Sequence, residues 1–565
     1  MADRLKMLGI GPGHAVGIAG ATGIEWELVH HAVLALGGVA VGIDPAETES
    51  GFRAIARTAT LRALFADGNN RLAQFNVPAN SGMIVALWPH IGATPDFDAA
   101  RAASQTRPLP PLPARVRPSD RATIVFTSGS TGVPKGIAYR HDQMLAAVRA
   151  LARAYVPRVP LFGLRFVCWL PLSNLFQRMV NLVAMERGGQ IFCLSEPKAI
   201  LDRLPVMAPH LFVAVPRFFE KLHHGLQVRI RQQPRPVARL LEGCLAGGEE
   251  AGARGVLCRA ANRLLFRSFR RLFGRRLRFL VSGSAPLAPW LLARYESLGL
   301  PVLEAYGLSE NAALIAANLP GARRRGTVGK PLPCNHVEVA EDGELLVKGP
   351  CVFDGYLGQT VGPDADGFWR SGDYATIDAD GYIRLTGRKS EVFKTSTGRK
   401  IAPAEIESVL QRLPEADHAV VFGAGRKFPV ALLTMPNAKR LFERGETVGA
   451  ARDLAAVLAR LLESLSACRR PAGFVFRCDG LSVQQGELTG NLKLRRATLL
   501  EKNAAVLDRL YAELESARSP IHRQPIRLDA GTLLVAADMA ECGIRPQTGT
   551  GFSPASAPRW TTQSA

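Results

Sequence analysis

TIVFTSGSTGVPKG, residues 123–136, decides how the rest of the chain is read. TIVF is the β-branched and aromatic run of a buried strand, and it passes without a break into Ser, Gly and Thr. Polyphosphate needs many backbone N–H donors at close range, and only small residues allow that approach. Ser128, Gly129, Ser130, Thr131 and Gly132 supply such a loop, hydroxyls included, and Lys135 adds a mobile positive charge. The G-x-x-x-x-G-K-S/T spacing of the other common phosphate loop is absent.

Toward the N-terminus, AVGIAG (15–20), EWELVHHAVLAL (25–36) and GVAVGI (38–43) read as strand, helix and strand, the succession of a parallel α/β layer. Gly9, Gly11 and Gly13 precede the first of these strands and are turn glycines, not a dinucleotide loop. SQTRPLPPLPARVRPS (104–119) is an extended connector. Residues 335–386 alternate short strands with turns such as EDGE and DADG, a small β unit. Helices at 403–412 and 449–466 and a strand at 418–423 belong to a second domain. The predicted fold class is α/β. Residues 1–386 form a large N-terminal domain of β-sheets flanked by helices plus the small β unit, and 387–518 a smaller, mobile α+β domain. Residues 519–565, rich in Ser, Thr, Pro and Gly, are expected to be a loosely ordered tail.

The 565 residues suffice for several cores, and 47% hydrophobic with 21% charged residues excludes a disordered or collagenous chain. A net charge of +21 favours phosphate-bearing partners: nucleotide, CoA, anionic lipid or nucleic acid. Nucleic acid is set aside because no nucleic-acid-binding module is present. Nine dispersed cysteines, with no CxxC pair and no Cys/His zinc spacing, fit a reducing cytoplasm. Residues 7–24 lack Asp, Glu, Lys and Arg, but six glycines and Pro12 make a poor export signal. No run reaches the roughly 18 apolar residues of a spanning helix. Arg and apolar residues interleave across 229–278, which reads either as a solvated helix with a core-facing stripe or as a helix at an acyl entrance or in peripheral contact with a membrane surface.

Seven further motifs follow the loop or lie in register with it: VSGSAPL (281–287), EAYGLSE (304–310), GTVGKPLP (326–333), GELLVKGP (343–350), SGD (371–373), GRKSEVFKTSTGRKIAPAEIE (387–407) and GELTGNLKLRR (486–496). In order and content they resemble the adenylate-forming superfamily: acyl-CoA synthetases, fatty acyl-AMP ligases, luciferases and peptide-synthetase adenylation domains. The likeness covers most of residues 15–500. It implies ATP-dependent activation of a carboxylic acid to acyl-AMP, followed by thioester formation with CoA.

The resemblance also implies roles. Thr127, Ser128, Gly129, Ser130, Thr131, Gly132 and Lys135 match the phosphate loop. Within Glu304, Ala305, Tyr306 and Gly307, the tyrosine resembles the aromatic that stacks on adenine, with Gly283, Ser284, Ala285 and Pro286 on the other face. Ser309 stands where relatives usually have Thr, and Glu310 resembles the Mg²⁺ ligand, a hard carboxylate for a hard ion. Asp373 and Arg388 match the pair that grips the ribose hydroxyls. Lys493 matches the lysine that serves adenylation, where a carboxylate must attack a phosphate, anion against anion. The small domain of relatives then pivots, here at Ser390, where they usually carry Asp or Lys. The turn KTSTGRK (394–400) lies on the face that meets pantetheine.

WLPLSNLFQRM (169–179) and VAVPRFFEK (213–221) look most like long-chain acyl-CoA synthetases, which usually carry LPLxHxxER. Asn174 replaces that His and Gln177 that Glu; neither substitute ionises near pH 7. Relatives place a helix and further chain before LGIGPGHAV, so the first layer is expected to be partly uncovered. Three readings stay open. They are a fatty acyl-CoA synthetase, an acyl-AMP or aryl-acid ligase loading an acyl carrier protein, and a degenerate nucleotide-binding homologue. Glu310, Asp373, Arg388 and Lys493 speak against the last.

Overall fold

In the computed structural model of the chain, the described residues are 1–77, 82–87, 116–128, 134–155, 163–245, 271–312, 314–413, 415–436, 438, 447–489, 493–516, 518–522, 524–529 and 531–537. Contacts divide the chain into two units. The first comprises Met1–Leu287, Leu291–Ser371 and Thr376–Arg384; the second comprises Ala288–Trp290, Gly372–Ala375 and the chain from Leu385.

The first sheet is built from β1 (Ala15–Ala19), β2 (Val39–Ile43), β3 (Leu61–Ala66), β4 (Ile84–Leu87), β5 (Arg121–Ser128) and β6 (Pro134–Arg140), in the order β4-β3-β1-β2-β5-β6. All pairings are parallel except β5–β6. Every residue of β1 and β2 is buried, as expected of parallel strands covered on both faces. The Ile24–Ala35 helix buries Trp26, Val29 and Val33 against this sheet. The Ala2–Met7 helix adds Leu5, fully buried, to the same core. The expectation of a partly uncovered first layer is therefore not met: a short helix placed before Gly9 supplies the missing apolar side chain.

Next come the parallel pair β7 (Arg165–Cys168) and β8 (Gln190–Cys193), and a sheet of β9 (Leu211–Ala214), β10 (Phe279–Ser282), β11 (Val302–Tyr306), β12 (Ala316–Ala317) and β13 (Lys330–Pro331). The strands β9, β10 and β11 run parallel. A four-stranded sheet follows, β14 (His336–Val339), β15 (Glu344–Lys348), β16 (Trp369–Ile377) and β17 (Ile383–Arg388).

The second unit holds the hairpin β18 (Phe393–Lys394) and β19 (Lys400–Ile401), closed at Gly398 with φ +79°. It also holds a sheet of β20 (His418–Phe422), β21 (Val430–Thr434), β22 (Gly473–Arg477), β23 (Ile526–Arg527) and β24 (Thr532–Ala536), in the order β20-β21-β22-β24-β23. Its strands sort by the period of two. Val421, Leu433, Phe476 and Val535 pack with the Pro403–Leu410 and Thr447–Leu462 helices, while Val420, Leu432, Val475 and Leu534 pack with the Arg496–Glu515 helix.

This sheet corrects the sequence reading. The chain was expected to loosen at 519, yet β24 is an interior strand with Leu533, Leu534 and Val535 fully buried. A five-residue apolar run is invisible when composition is averaged over a Ser- and Pro-rich stretch. Residues 538–565 lie outside the described residues, as do 104–115 of the connector and 246–270 of the basic stretch. The rest of that stretch includes the Arg235–Leu245 helix. Among the described residues no helix is long and apolar enough to cross a membrane.

Candidate active site

β5 and β6 pair so that Thr127 faces Lys135, with residues 129–133 between the two roots. Gly129, Ser130, Thr131, Gly132 and the Ser128 side chain lie outside the described residues. Lys135 Nζ sits 5.1 Å from the centre of the Tyr356 ring. The Tyr356 hydroxyl in turn donates to Glu310 Oε1 at 2.5 Å. Tyr356 is held beside β6, since Ile137 bridges it and Leu357 N–H donates to the Gly136 carbonyl at 2.9 Å. A side chain at Gly136 would crowd this strand, because a Cβ there would lie 3.1 Å from Leu357 Cδ1. The Glu310 carbonyl accepts from Phe353 N–H at 2.9 Å, and the Ser309 carbonyl accepts from the Tyr139 hydroxyl. Sequence reasoning missed Tyr139 and Tyr356. Tyr139 offered only an aromatic within a short apolar run, which ordinarily means core, and Tyr356 an aromatic after an Asp-Gly turn.

The strands β10 and β11 are parallel, with Ser282 opposite Glu304. The segments after them therefore leave the sheet at its carboxyl edge, where open parallel sheets bind ligands. Glu304, Ala305 and Tyr306 are buried, whereas Gly307, Ser309 and Glu310 are half-buried. Gly283 is buried, and Ser284, Ala285 and Pro286 are exposed. Ser284 adopts φ +73°, a left-handed conformation unusual for a residue with a Cβ, and such strain gathers at ligand-binding turns. The Glu304 carboxylate accepts Leu287 N–H at 3.3 Å. Burial pushes its pKa up to about 7 against that hydrogen bond.

Beside the Gly283 turn lies a narrow apolar crevice of about 40 Å³, lined by Tyr155, Phe166, Phe176, Val183, Val213 and Leu314 among others. Phe176 joins the two features, since a Cβ built on Gly283 would lie 3.1 Å from Phe176 Cζ. Asn174 is the N-cap of the Leu175–Glu186 helix. Gln177 is buried; its Oε1 accepts Leu170 N–H at 3.2 Å and its Nε2 donates to Asn181 Oδ1 at 2.9 Å. A neutral amide thus ties the LPL turn to the helix.

In the second unit, Asp373 on β16 and Arg388 at the end of β17 approach to 3.8 Å (Oδ1 to Nε). Asp373 is buried and Arg388 exposed. Ser390 is exposed in a tight turn, with Glu391 and Val392 N–H both donating to the Arg388 carbonyl at 2.9 Å. Lys493 is exposed, and its backbone closes a small loop on Thr489, N–H to Oγ1 at 3.1 Å and carbonyl to N–H at 2.8 Å. Residues 490–492 within that loop are outside the described residues.

A second ionisable cluster was not foreseen. Glu27 Oε1 accepts from Asn181 Nδ2 at 2.6 Å, and Glu27 Oε2 lies 3.1 Å from His30 Nδ1 and 3.3 Å from His31 Nε2. Donor atoms of these three residues lie within 4.8 Å of one another, a spacing a metal ion accepts. The fully buried Arg178 guanidinium packs 5.6 Å from the Trp26 ring centre in the same layer, and its charge already complements Glu27.

The AMP-binding enzyme family matches residues 1–357, and the AMP-binding enzyme C-terminal domain matches 391–515. Long-chain-fatty-acid–CoA ligase FadD15 of Mycobacterium bovis is 31% identical over 537 residues, covering 90% of this chain and 89% of the relative. Long-chain-fatty-acid–CoA ligase 1 of Homo sapiens is 28% identical over 449 residues, covering 73% of this chain and 63% of the relative. Among solved structures, ATP-bound MatB from Rhodopseudomonas palustris has a TM-score of 0.66 at 23% identity, covering 89% of this chain and 92% of that one. The anthranilate CoA ligase AuaEII with anthranoyl-AMP has a TM-score of 0.68 at 20% identity, covering 89% of this chain and 90% of that one.

Proposed function

The chain belongs to the AMP-binding enzyme family, and from that premise we propose that it is an ATP-dependent acid–thiol ligase acting on a fatty acid. One observation carries the choice of acid. Phe176 walls the apolar crevice and also packs on Gly283, so a tail in the crevice brings its carboxylate toward the nucleotide turns. The relatives named as long-chain fatty-acid ligases support the same choice. The crevice is narrow, so Phe176 or a neighbour must shift as a long chain enters.

In the first half-reaction the carboxylate attacks the α-phosphate of ATP and pyrophosphate leaves. In the second, the CoA thiol attacks the acyl carbonyl and AMP leaves. Two anions meet in the first, so we assign its electrostatic work to Lys135 at the loop root and to Lys493. Thr127 to Gly132 are assigned to the phosphates, Tyr306 and the 283–286 turn to adenine, and Asp373 with Arg388 to the ribose. Ser390 is assigned to the hinge between the half-reactions. The half-buried Glu310 carboxylate, held by Tyr356, is a hard oxygen donor of the kind Mg²⁺ takes together with waters and phosphate oxygens. Mg²⁺ bound there would offset phosphate charge.

The test is exchange of labelled pyrophosphate into ATP across acids of increasing chain length, followed by addition of CoA or an acyl carrier protein. Exchange that depends on a fatty acid, and a CoA thioester as product, are expected. No exchange with any acid overturns the reading, and loading of carrier protein alone overturns CoA as acceptor. Lys493→Ala is expected to lose adenylation while keeping ATP affinity and thioester formation from supplied acyl-AMP. Adenylation near the parent rate would refute that lysine's role.

A further inference from the structure

The nine cysteines are dispersed in sequence, yet among the described residues the fold brings two pairs together. Cys168 and Cys193 are register partners on β7 and β8. The Cys334 and Cys351 thiols neighbour each other at the open end of the β14–β15 hairpin, where His336 pairs with Lys348. The second pair adjoins the candidate active site. Ala312 N–H donates to the Cys351 carbonyl at 2.8 Å, Asn311 bridges Val352, and Phe353 N–H donates to the Glu310 carbonyl at 2.9 Å. Further along the same segment, the Tyr356 hydroxyl holds the Glu310 carboxylate. On the other flank the chain is tightly packed, since a Cβ on Gly349 would lie 2.4 Å from the Cys334 carbonyl oxygen. Cys334 is half-exposed and Cys351 fully buried, so one thiol meets an oxidant while the other waits behind it.

We propose that Cys334 and Cys351 are an oxidisable dithiol whose closure to a disulfide displaces the 351–356 segment and makes adenylation depend on thiol redox state. Only the effect on adenylation rests on the ligase reading. With hydrogen peroxide as oxidant, the Cys334 thiolate attacks one peroxide oxygen, the O–O bond breaks, and hydroxide leaves and takes up the thiol proton. The Cys351 sulfur then attacks the Cys334 sulfenic acid, an S–S bond forms, and a second water leaves. The two sulfurs lose two electrons and the peroxide gains them. Closure brings the two sulfurs to about 2 Å, and the hairpin end must move to allow it. The hydrogen bond from Cys351 holds the Cys334 thiol below its ordinary pKa, and the same contact together with burial pushes Cys351 up, so the exposed member is the better nucleophile. The Cys168–Cys193 pair is likewise one buried and one half-exposed thiol, but it lies on β7 and β8 and not on the 351–356 segment that holds Glu310.

The experiment treats the reduced full-length protein with peroxide, blocks free thiols, and reads peptide masses and pyrophosphate exchange together. Expected is a linked Cys334–Cys351 peptide pair lighter by two hydrogens. Exchange should fall on the order of tenfold to a hundredfold, since small displacements of catalytic groups cost that much, and return with dithiothreitol. Cys334→Ser and Cys334→Ala should neither link nor lose exchange in peroxide. The proposal is overturned by any of three results: no linked peptide, a linked peptide with unchanged exchange, or equal peroxide sensitivity in the Cys334 variants. If the reduced protein exchanges with no acid, the ligase reading fails, while the masses still decide whether the dithiol closes.

Discussion

The Glu27–Arg178 cluster and the Lys135–Glu310 cluster lie in the same unit and use the same kinds of side chain, but they are built on opposite plans. In the first, charge is sealed: Arg178 is 0% exposed, His30 1% and Glu27 6%. Both Glu27 oxygens are occupied, and Arg178 Nη1 donates to Thr123 Oγ1 at 2.7 Å, which itself donates to the Ala40 carbonyl at 2.6 Å. In the second, Glu310 and Lys135 are half-buried and meet through one tyrosine. In the sealed cluster, burial displaces the pKa values. Burial lowers His30 to about 4 and Arg178 to about 10. Burial would raise Glu27, but hydrogen bonds from His30, His31 and Asn181 prevail and hold it well below its ordinary range. Burial and its hydrogen bonds thus account for the perturbed ionisation of the sealed cluster, whereas Glu310 and Lys135 stay open to a ligand.

The sharpest way to break that contrast is Arg178→Ala. It leaves the buried Glu27 without its cationic neighbour, which should remove about 3–5 kcal/mol of stability. The melting temperature should fall on the order of 10 °C, while exchange per folded molecule stays near the parent. An unchanged melting temperature, or lost exchange in folded protein, would erase the distinction.

Glu310→Gln should do the converse. Exchange is expected to fall on the order of a hundredfold to a thousandfold, and the Mg²⁺ midpoint to rise, with the melting temperature unmoved because Gln still accepts from Tyr356. A destabilised variant with normal exchange would place Glu310 in the scaffold.

Glu304 stands between the plans: buried like Glu27, yet on β11, whose last residue Tyr306 is proposed to hold adenine. Its folded pKa of about 7 lies above the ordinary 4.5, so the unfolded chain gives up the proton first. Its contribution is fully present below pH 4.5 and is lost as pH rises through about 7, a difference of about 3 kcal/mol. His30 slopes the other way, losing stability as pH falls from 6.5 toward about 4. Urea unfolding of Glu304→Gln beside the parent cancels the His30 term. The variant's advantage should grow from near zero at pH 4.5 to about 3 kcal/mol at pH 8. An advantage independent of pH would show that the carboxyl is already ionised.

How legible each cluster was follows from sequence separation. The 123–136 hairpin and Glu310 could be read directly, because local motifs carry them and their order fixes the fold. Tyr139 acquires its meaning from the Ser309 carbonyl, 170 residues away, and Asn181 from Glu27, 154 residues away. No local pattern records such pairings. The thiol pairs were hidden for the same reason, since strand register alone joins Cys168 to Cys193. Asn174 and Gln177 were legible as departures but not as structure. Only the buried amide contacts show why Gln177 suffices, as it accepts the LPL turn's N–H without needing a charge.

The smallest expected effect isolates what joins Lys135 to Glu310. Tyr356→Phe removes the hydroxyl that donates to Glu310 and keeps the ring, which lies under Lys135 and edge-on to Phe353 at 5.0 Å and to Trp369 at 6.0 Å. Packing is thus preserved and the melting temperature should hold. Losing one hydrogen bond to a half-buried carboxylate should cost about tenfold in exchange, or about 1.4 kcal/mol, with ATP affinity unchanged. Tyr356→Ala removes the ring as well, so Lys135 loses its cation–π contact and ATP affinity should weaken too. The split between the variants is the informative quantity. If Phe matches the parent in exchange, Glu310 is oriented by its backbone contacts with the 351–353 segment alone, and the tyrosine serves packing, as Trp26 does beneath Arg178.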